Sequence, residues 1–266
     1  MISGLARFQK IFTSGNLHHA YILCGPEGVG KKAAALEIAA TLIQNSPAEL
    51  DVVSRVARKI HPDMLWIEPE ERTLKVDDVR GIARDLAYAP LEGKRRVVVL
   101  NHAERMNAAA ANAILKILEE PPEYAVFLLI THALEQLLPT LRSRAQVLRF
   151  APLTEAAVEK ELTKKFSSQF SALEIAQASQ QAWGSLTNAE LFLQNEEVRK
   201  LARDSQEALL SLWESSPRVP KATTAFLETL AGAAEMRSVI RVWLSLARDF
   251  AFAQVALLEK KQIPGS

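Results

Sequence analysis

The chain has 266 residues, 48% apolar and 24% charged, the balance of an ordinary water-soluble globular protein, and its length suits two or three domains better than one minimal core. Thirty-two basic against 31 acidic residues leave a formal charge of +1, which excludes a global field drawing the chain onto nucleic acid. Its one cysteine, Cys24, excludes an internal disulfide and a cysteine-rich zinc site, and its longest charge-free apolar run, residues 125–130, falls far short of the ~20 residues that span a bilayer.

Residues 4–13 carry Leu5, Phe8, Ile11 and Phe12 at helical spacing and close on Ser14-Gly15-Asn16, a stop signal. His18 and His19 follow. Neighbouring positions point apart on a regular element and no carboxylate or cysteine cluster adjoins them, so they are expected to be structural or surface histidines rather than ligands. No signal-peptide core precedes them, and the chain is read as cytoplasmic, without a membrane partner.

Tyr21-Ile22-Leu23-Cys24 predicts a buried strand, with Cys24 as packing rather than a nucleophile. Gly25-Pro26-Glu27-Gly28-Val29-Gly30-Lys31-Lys32 then leads into an Ala-rich helix over 31–44. This is the pattern G-x-x-x-x-G-K-[ST] with its last residue replaced. Glycines let backbone N–H groups wrap phosphate oxygens, the lysine reaches the outer phosphates, and the final hydroxyl binds Mg²⁺. Gly25, Gly28, Gly30 and Lys31 keep the phosphate-binding parts. Lys32 stands where the hydroxyl belongs, and a charged ammonium does not ligate a metal. The bland alternative is a strand-to-helix turn without a ligand.

A second helix is expected over 48–59, a short strand over 64–67, a polar turn over 68–72 and a helix over 76–88 with Val76, Val79, Ile82, Ala83 and Leu86 on one face. Residues 96–100 form the clearest strand, its consecutive apolar residues suiting a parallel sheet covered on both faces. A hydrolysing site of this type ends that strand in acids that hold Mg²⁺ and activate water; here the next residues are Asn101 and His102. Helix over 108–118 stops at Glu119-Glu120-Pro121-Pro122. Strand over 126–130, short helix over 134–138 and a last strand over 146–150 complete a predicted α/β domain with a parallel sheet. Beyond the hinge at Ala151-Pro152-Leu153 only helices are expected: 155–166, 173–181 and 186–194, then longer amphipathic stretches over 196–215 and 237–260.

The order Gly25-x-x-x-x-Gly30-Lys31, His61-Pro62-Asp63, the run from Asn112 through Leu118-Glu119-Glu120-Pro121-Pro122, and Leu141-Arg142-Ser143-Arg144 resembles the clamp-loader subunits of bacterial DNA polymerase III. The resemblance implies an AAA+ P-loop domain over 1–151, a small helical lid over 152–195 and an all-α collar over 196–266, short for the family. Motor subunits of the family keep Thr after the loop lysine, an Asp-Glu pair after the third strand and a sensor arginine in the lid. Lys32, Asn101-His102 and Thr187 at those places resemble the delta-prime type, which does not hydrolyse ATP; Thr131 falls at the family's other sensor position.

The resemblance further implies that Arg144 acts as an arginine finger in trans on the ATP of a neighbouring motor subunit, against the plainer alternative of a surface ion pair. Its implied partners are the gamma/tau motor and delta subunits of a hetero-pentamer and, through that complex, the sliding clamp and primed DNA. No cofactor is expected to be required; weak occupancy by ATP, ADP or phosphate is compatible with the loop. No metal is expected, and no zinc, because residues 44–60 lack the family's four-cysteine insertion. The rival readings are a working ATPase that uses His102 or Glu104 as its base, and an adaptor outside replication.

Overall fold

The structure, a computed structural model, describes residues 3–46, 49–69, 73–74 and 76–200. The collar expected over 196–266 lies outside the described residues beyond position 200. Two compact units divide the chain, the first ending at Leu153 and the second beginning at Thr154.

In the first unit, helix α1 (Ser3–Thr13) precedes strand β1 (Ala20–Cys24), then α2 (Lys31–Ile43), α3 (Leu50–Ala57), β2 (Met64–Ile67), α4 (Val76–Asp85), β3 (Arg96–Leu100), α5 (Ala108–Glu119), β4 (Ala125–Thr131), α6 (Pro139–Ser143) and β5 (Gln146–Arg149). The strands form a five-stranded sheet in the order β2-β3-β4-β1-β5, with every pair parallel. Alternate residues feed opposite faces. Tyr21, Leu23, Val97, Val99, Leu128 and Ile130 pack on the face that holds α1, α2 and α3 residues. Ile22, Val98, Leu100, Phe127 and Leu129 pack on the face that holds α4 and α5 residues. Both faces being covered explains why these strands read as unbroken apolar runs.

Local chemistry sets the element ends. Asn107 caps α5, its side chain accepting from Ala110 N at 2.8 Å. Helix α4 ends at Asp85 rather than continuing to Tyr88: the Arg96 guanidinium takes the Asp85 carbonyl and, at 3.1 Å, the Tyr88 carbonyl. The short helix expected over 134–138 is a 3₁₀ turn limited to Leu134–Gln136. Pro139 excludes the helical region for Leu138, which is extended at φ −53°, ψ 136°, and Pro139 itself opens α6 at its first position. His18 and His19 are stacked, their ring centroids 4.3 Å apart, rather than diverging as expected. They precede β1 in irregular backbone, where strand alternation does not operate.

The second unit contains α7 (Glu155–Phe166), α8 (Ala172–Gln181) and α9 (Leu186–Gln194). Thr154, Ser171 and Ser185 cap them in turn, and Ser171 with Glu174 forms a complete capping box. None of the described helices is long and apolar enough to cross a membrane.

Candidate functional site

Three parallel strands end side by side, and the glycine loop, Asn101-His102 and Thr131 gather at those ends. β1 delivers Gly25, β3 delivers Asn101 and His102, and β4 ends on Thr131. This is the end of a parallel sheet where ligand loops belong.

Gly25 is required by close approach: a Cβ built there would lie 2.2 Å from the Phe150 carbonyl oxygen. Gly25 N donates to Thr131 O at 3.3 Å and Phe150 N to Cys24 O at 2.7 Å, so the loop is anchored between β4 and the exit of β5. Gly28 and Gly30 both take left-handed backbone, φ 76° and 89°, which glycine adopts without a Cβ penalty. Gly30 thereby turns the chain directly into α2, whose first-turn N–H groups and dipole favour an anion. Lys31 is buried, and its Nζ donates to the loop's own carbonyls, Gly25 O and Pro26 O, each at 2.5 Å. Burial pushes its ammonium below the ordinary lysine value, against the pull of Cys24, Glu27 and Glu104.

Lys32 and Asn101, which stand where hydroxyl and carboxylate metal ligands would be, share one partner. Glu68, just beyond β2, accepts from Lys32 Nζ at 2.8 Å and from Asn101 Nδ2 at 2.7 Å on the same oxygen, Oε1. Its other oxygen accepts from Trp66 Nε1 at 3.1 Å and lies 3.6 Å from Lys59 Nζ, which sits over the Trp66 ring. Burial opposes the charge on Glu68, but the hydrogen bonds from Lys32, Trp66 and Asn101 and the Lys32 charge hold its carboxyl down to about 2. An internal ion pair thus occupies the two replaced positions. The sequence gives no sign of it: Glu68 opens what reads as a polar turn.

His102 adopts left-handed backbone, φ 56° and ψ 50°, sparsely populated for a residue with a side chain. The following 3₁₀ turn, Ala103–Arg105, folds Glu104 back into the site. Glu104 Oε1 lies 3.2 Å from His102 Nδ1 and 3.0 Å from His132 Nδ1. Burial raises the Glu104 carboxyl, while the nearby Thr131 hydroxyl, its own amide and the two imidazoles outweigh burial and hold it below the usual range. Glu104, three residues past Asn101 along the chain, is thus brought back to the strand ends. His132, directly after β4, carries no motif that would have singled it out.

Arg144 is elsewhere. It caps the C-terminal end of α6, two residues before β5, whose first residue pairs with Tyr21 near the start of β1. That is the amino end of the sheet. Gly25 lies about six strand residues further on, roughly 20 Å at the rise of a parallel strand. Arg144 Nη2 donates to Glu119 Oε1 at 2.9 Å and Nη1 to Thr140 O at 3.3 Å, while Arg142 pairs with Glu135 at 2.8 Å. Thr187 is exposed on α9, in the second unit.

A parallel sheet with a glycine loop between its first strand and a following helix, and a lysine at that helix's start, defines a P-loop-type α/β fold. Residues 3–154 match the family described as DNA polymerase III, delta subunit. DNA polymerase III subunit delta' of Pseudomonas aeruginosa is 43% identical over 151 residues, 54% of this chain and 46% of that protein; the one from Bacillus subtilis is 34% identical over 154 residues, 56% and 47%. A gamma subunit-related protein of Thermotoga maritima, of known structure, is 25% identical and covers 91% of this chain and 77% of its own, with a TM-score of 0.49. The chain therefore belongs to the DNA polymerase III delta family, as a delta-prime-like member. It spans about half the length of the curated relatives it matches.

Proposed function

We propose that the chain is a clamp-loader subunit of the AAA+ class that does not hydrolyse ATP itself and lends Arg144 to the ATP site of a neighbouring motor subunit. Its assembly is a hetero-pentamer with gamma/tau-type and delta-type subunits, acting on the sliding clamp and primed DNA. The observation that carries this reading is the separation of the two functional ends. The loop, with its metal-ligand positions taken by Lys32 and Asn101 and bridged by Glu68, is at the carboxyl end of the sheet; Arg144 is at the amino end, out of reach of its own loop. If Arg144 serves a nucleotide, this placement favours one held by another chain.

The chemistry supports the division. Loss of the general base alone costs on the order of 10²–10⁴ in rate. A trans arginine supplies about 10³–10⁵ by neutralising charge that grows on the transferring phosphoryl group. Arg144→Ala in a reconstituted motor complex is expected to lower DNA- and clamp-stimulated ATP hydrolysis at least about tenfold, roughly 1.4 kcal/mol of transition-state stabilisation, with assembly intact by gel filtration. Unchanged turnover would sink the trans role.

One observation favours a second reading, hydrolysis in cis: the ionised Glu104 carboxylate beside Thr131, where a base is wanted. Isolated chain that turns over Mg²⁺-ATP and loses that activity in Glu104→Gln would establish it.

A further inference from the structure

Three side chains beside the loop come together: His102, Glu104 and His132. Their ligand-type atoms, two imidazole Nδ1 and a carboxylate oxygen, all lie within 4.8 Å of one another. Bonds of about 2.0–2.1 Å in a tetrahedral zinc shell set neighbouring ligand atoms about 3.3 Å apart. Glu104 Oε1 is 3.2 Å from one imidazole nitrogen and 3.0 Å from the other, close to that edge length.

A separate observation points to a missing partner. The Glu104 side chain is only 3% exposed, and its Oε2 is buried with no hydrogen bond. A buried carboxylate oxygen left without a donor is costly, and an ion gripped by both oxygens of that carboxylate would satisfy it. The left-handed backbone of His102 fits the same picture: strain of this kind persists where the surroundings fix a side chain for a purpose.

We propose that His102, Glu104 and His132 form a binding site for a divalent transition-metal ion of the zinc class, its fourth position open to water. The donor set selects the ion. Two imidazoles and one carboxylate suit zinc and its neighbours and suit Mg²⁺ poorly, since that ion demands oxygen ligands. Glu27 Oε1, 3.9 Å from His132 Nδ1, supplies further negative charge nearby. Bound there, the ion cross-links the turn after β3 to the loop after β4, beside Lys31. The site owes nothing to cysteine, so the missing four-cysteine insertion does not bear on it, and it departs from the expectation of a metal-free chain. It stands independently of the clamp-loader reading.

The test uses the full chain, purified without a polyhistidine tag, stripped with chelator and titrated with Zn²⁺ against a chromophoric competitor. Co²⁺ serves as the spectroscopic probe. The expected result is one equivalent of bound Zn²⁺ and the intense visible absorption of four-coordinate Co²⁺. His132→Ala, at a partly exposed position, is expected to weaken Zn²⁺ binding at least tenfold, and His102→Gln likewise. The His18→Gln/His19→Gln double variant is expected to bind as the parent chain does. Any of three results overturns the site: no stoichiometric Zn²⁺ or only weak octahedral-type Co²⁺ absorption in the parent chain, undiminished binding in His132→Ala, or loss of binding in the His18/His19 variant. The Co²⁺ spectrum of the parent chain decides the matter even where a variant fails to fold.

Discussion

Glu68 shows how a single side chain sets the chemistry of a loop it does not belong to. By accepting from Lys32 and Asn101 on one oxygen, it neutralises Lys32, the residue after the loop lysine. Glu68→Gln removes the charge while keeping an acceptor. Lys32 is then free to meet an anion, and ADP in the presence of EDTA is expected to bind about tenfold more tightly, the scale of one charge-assisted hydrogen bond at a half-exposed site. A fluorescent-nucleotide titration without Mg²⁺ measures this, and equal affinities in the two proteins would show that Lys32 is not held back by Glu68. The pH dependence follows from the same contacts. The carboxyl is depressed from 4.5 to about 2, so its stabilising contribution is complete above the unfolded value and is lost as pH falls through about 2. Nothing in the sequence marks Glu68 because Lys32, on α2, and Asn101, just past β3, come from distant segments. Gly28 and Gly30 were legible for the opposite reason, since their task is set by the turn they themselves make.

At the scale of elements, the strands were legible and several joints were not. A strand buried on both faces writes itself as consecutive apolar residues, and β1, β3 and β4 do so without help from neighbours. The end of α4 depends on Arg96, which comes from another strand, and no local pattern reveals it. The His61-Pro62-Asp63 segment is another joint of this kind. The Asp63 carboxylate is buried and accepts from the backbone N–H groups of Leu91, Glu92 and Gly93 at 2.7, 2.9 and 2.8 Å, fixing the connection into β3. Asp63→Ala strands those donors and is expected to cost about 3 kcal/mol or more, read as a lowered urea midpoint with an unchanged m-value. A shift under about 1 kcal/mol would mean that water replaces the carboxylate. Burial alone would raise the Asp63 carboxyl, but the three N–H donors hold it below the ordinary aspartate value. Its contribution is therefore present above the unfolded value and disappears only in stronger acid. Gly25→Ala tests a second joint, since the added Cβ collides with the Phe150 carbonyl and must push β5 off β1. It is expected to destabilise the fold by about 1–3 kcal/mol, the scale of overpacking, measured as a lower Tm.

At the scale of the whole molecule, the proposed work of Arg144 is exported to another chain, and that separates its effects from those of every other residue discussed. Within its own chain the arginine makes one ion pair with Glu119, both partners well exposed at 36% and 52%. Pairs of this kind contribute about 0–1 kcal/mol, so Arg144→Ala is expected to move the Tm of the isolated chain by no more than a few degrees. Glu119→Gln removes the same pair from the other side and leaves the guanidinium in place. If the ion pair were the purpose of Arg144, both variants would behave alike in the reconstituted motor complex, each nearly as active as the parent. If the guanidinium serves a neighbour's ATP, only Arg144→Ala is expected to lose turnover, at least about tenfold, with Glu119→Gln within about threefold of the parent. Arg144→Lys sharpens the comparison, because an ammonium keeps the charge but not the planar fork that grips phosphate oxygens. It is expected to fall on the side of alanine. Steady-state ATP hydrolysis by the three variants in one assembly, beside their melting curves as isolated chains, therefore assigns the arginine to its own surface or to its neighbour's active site.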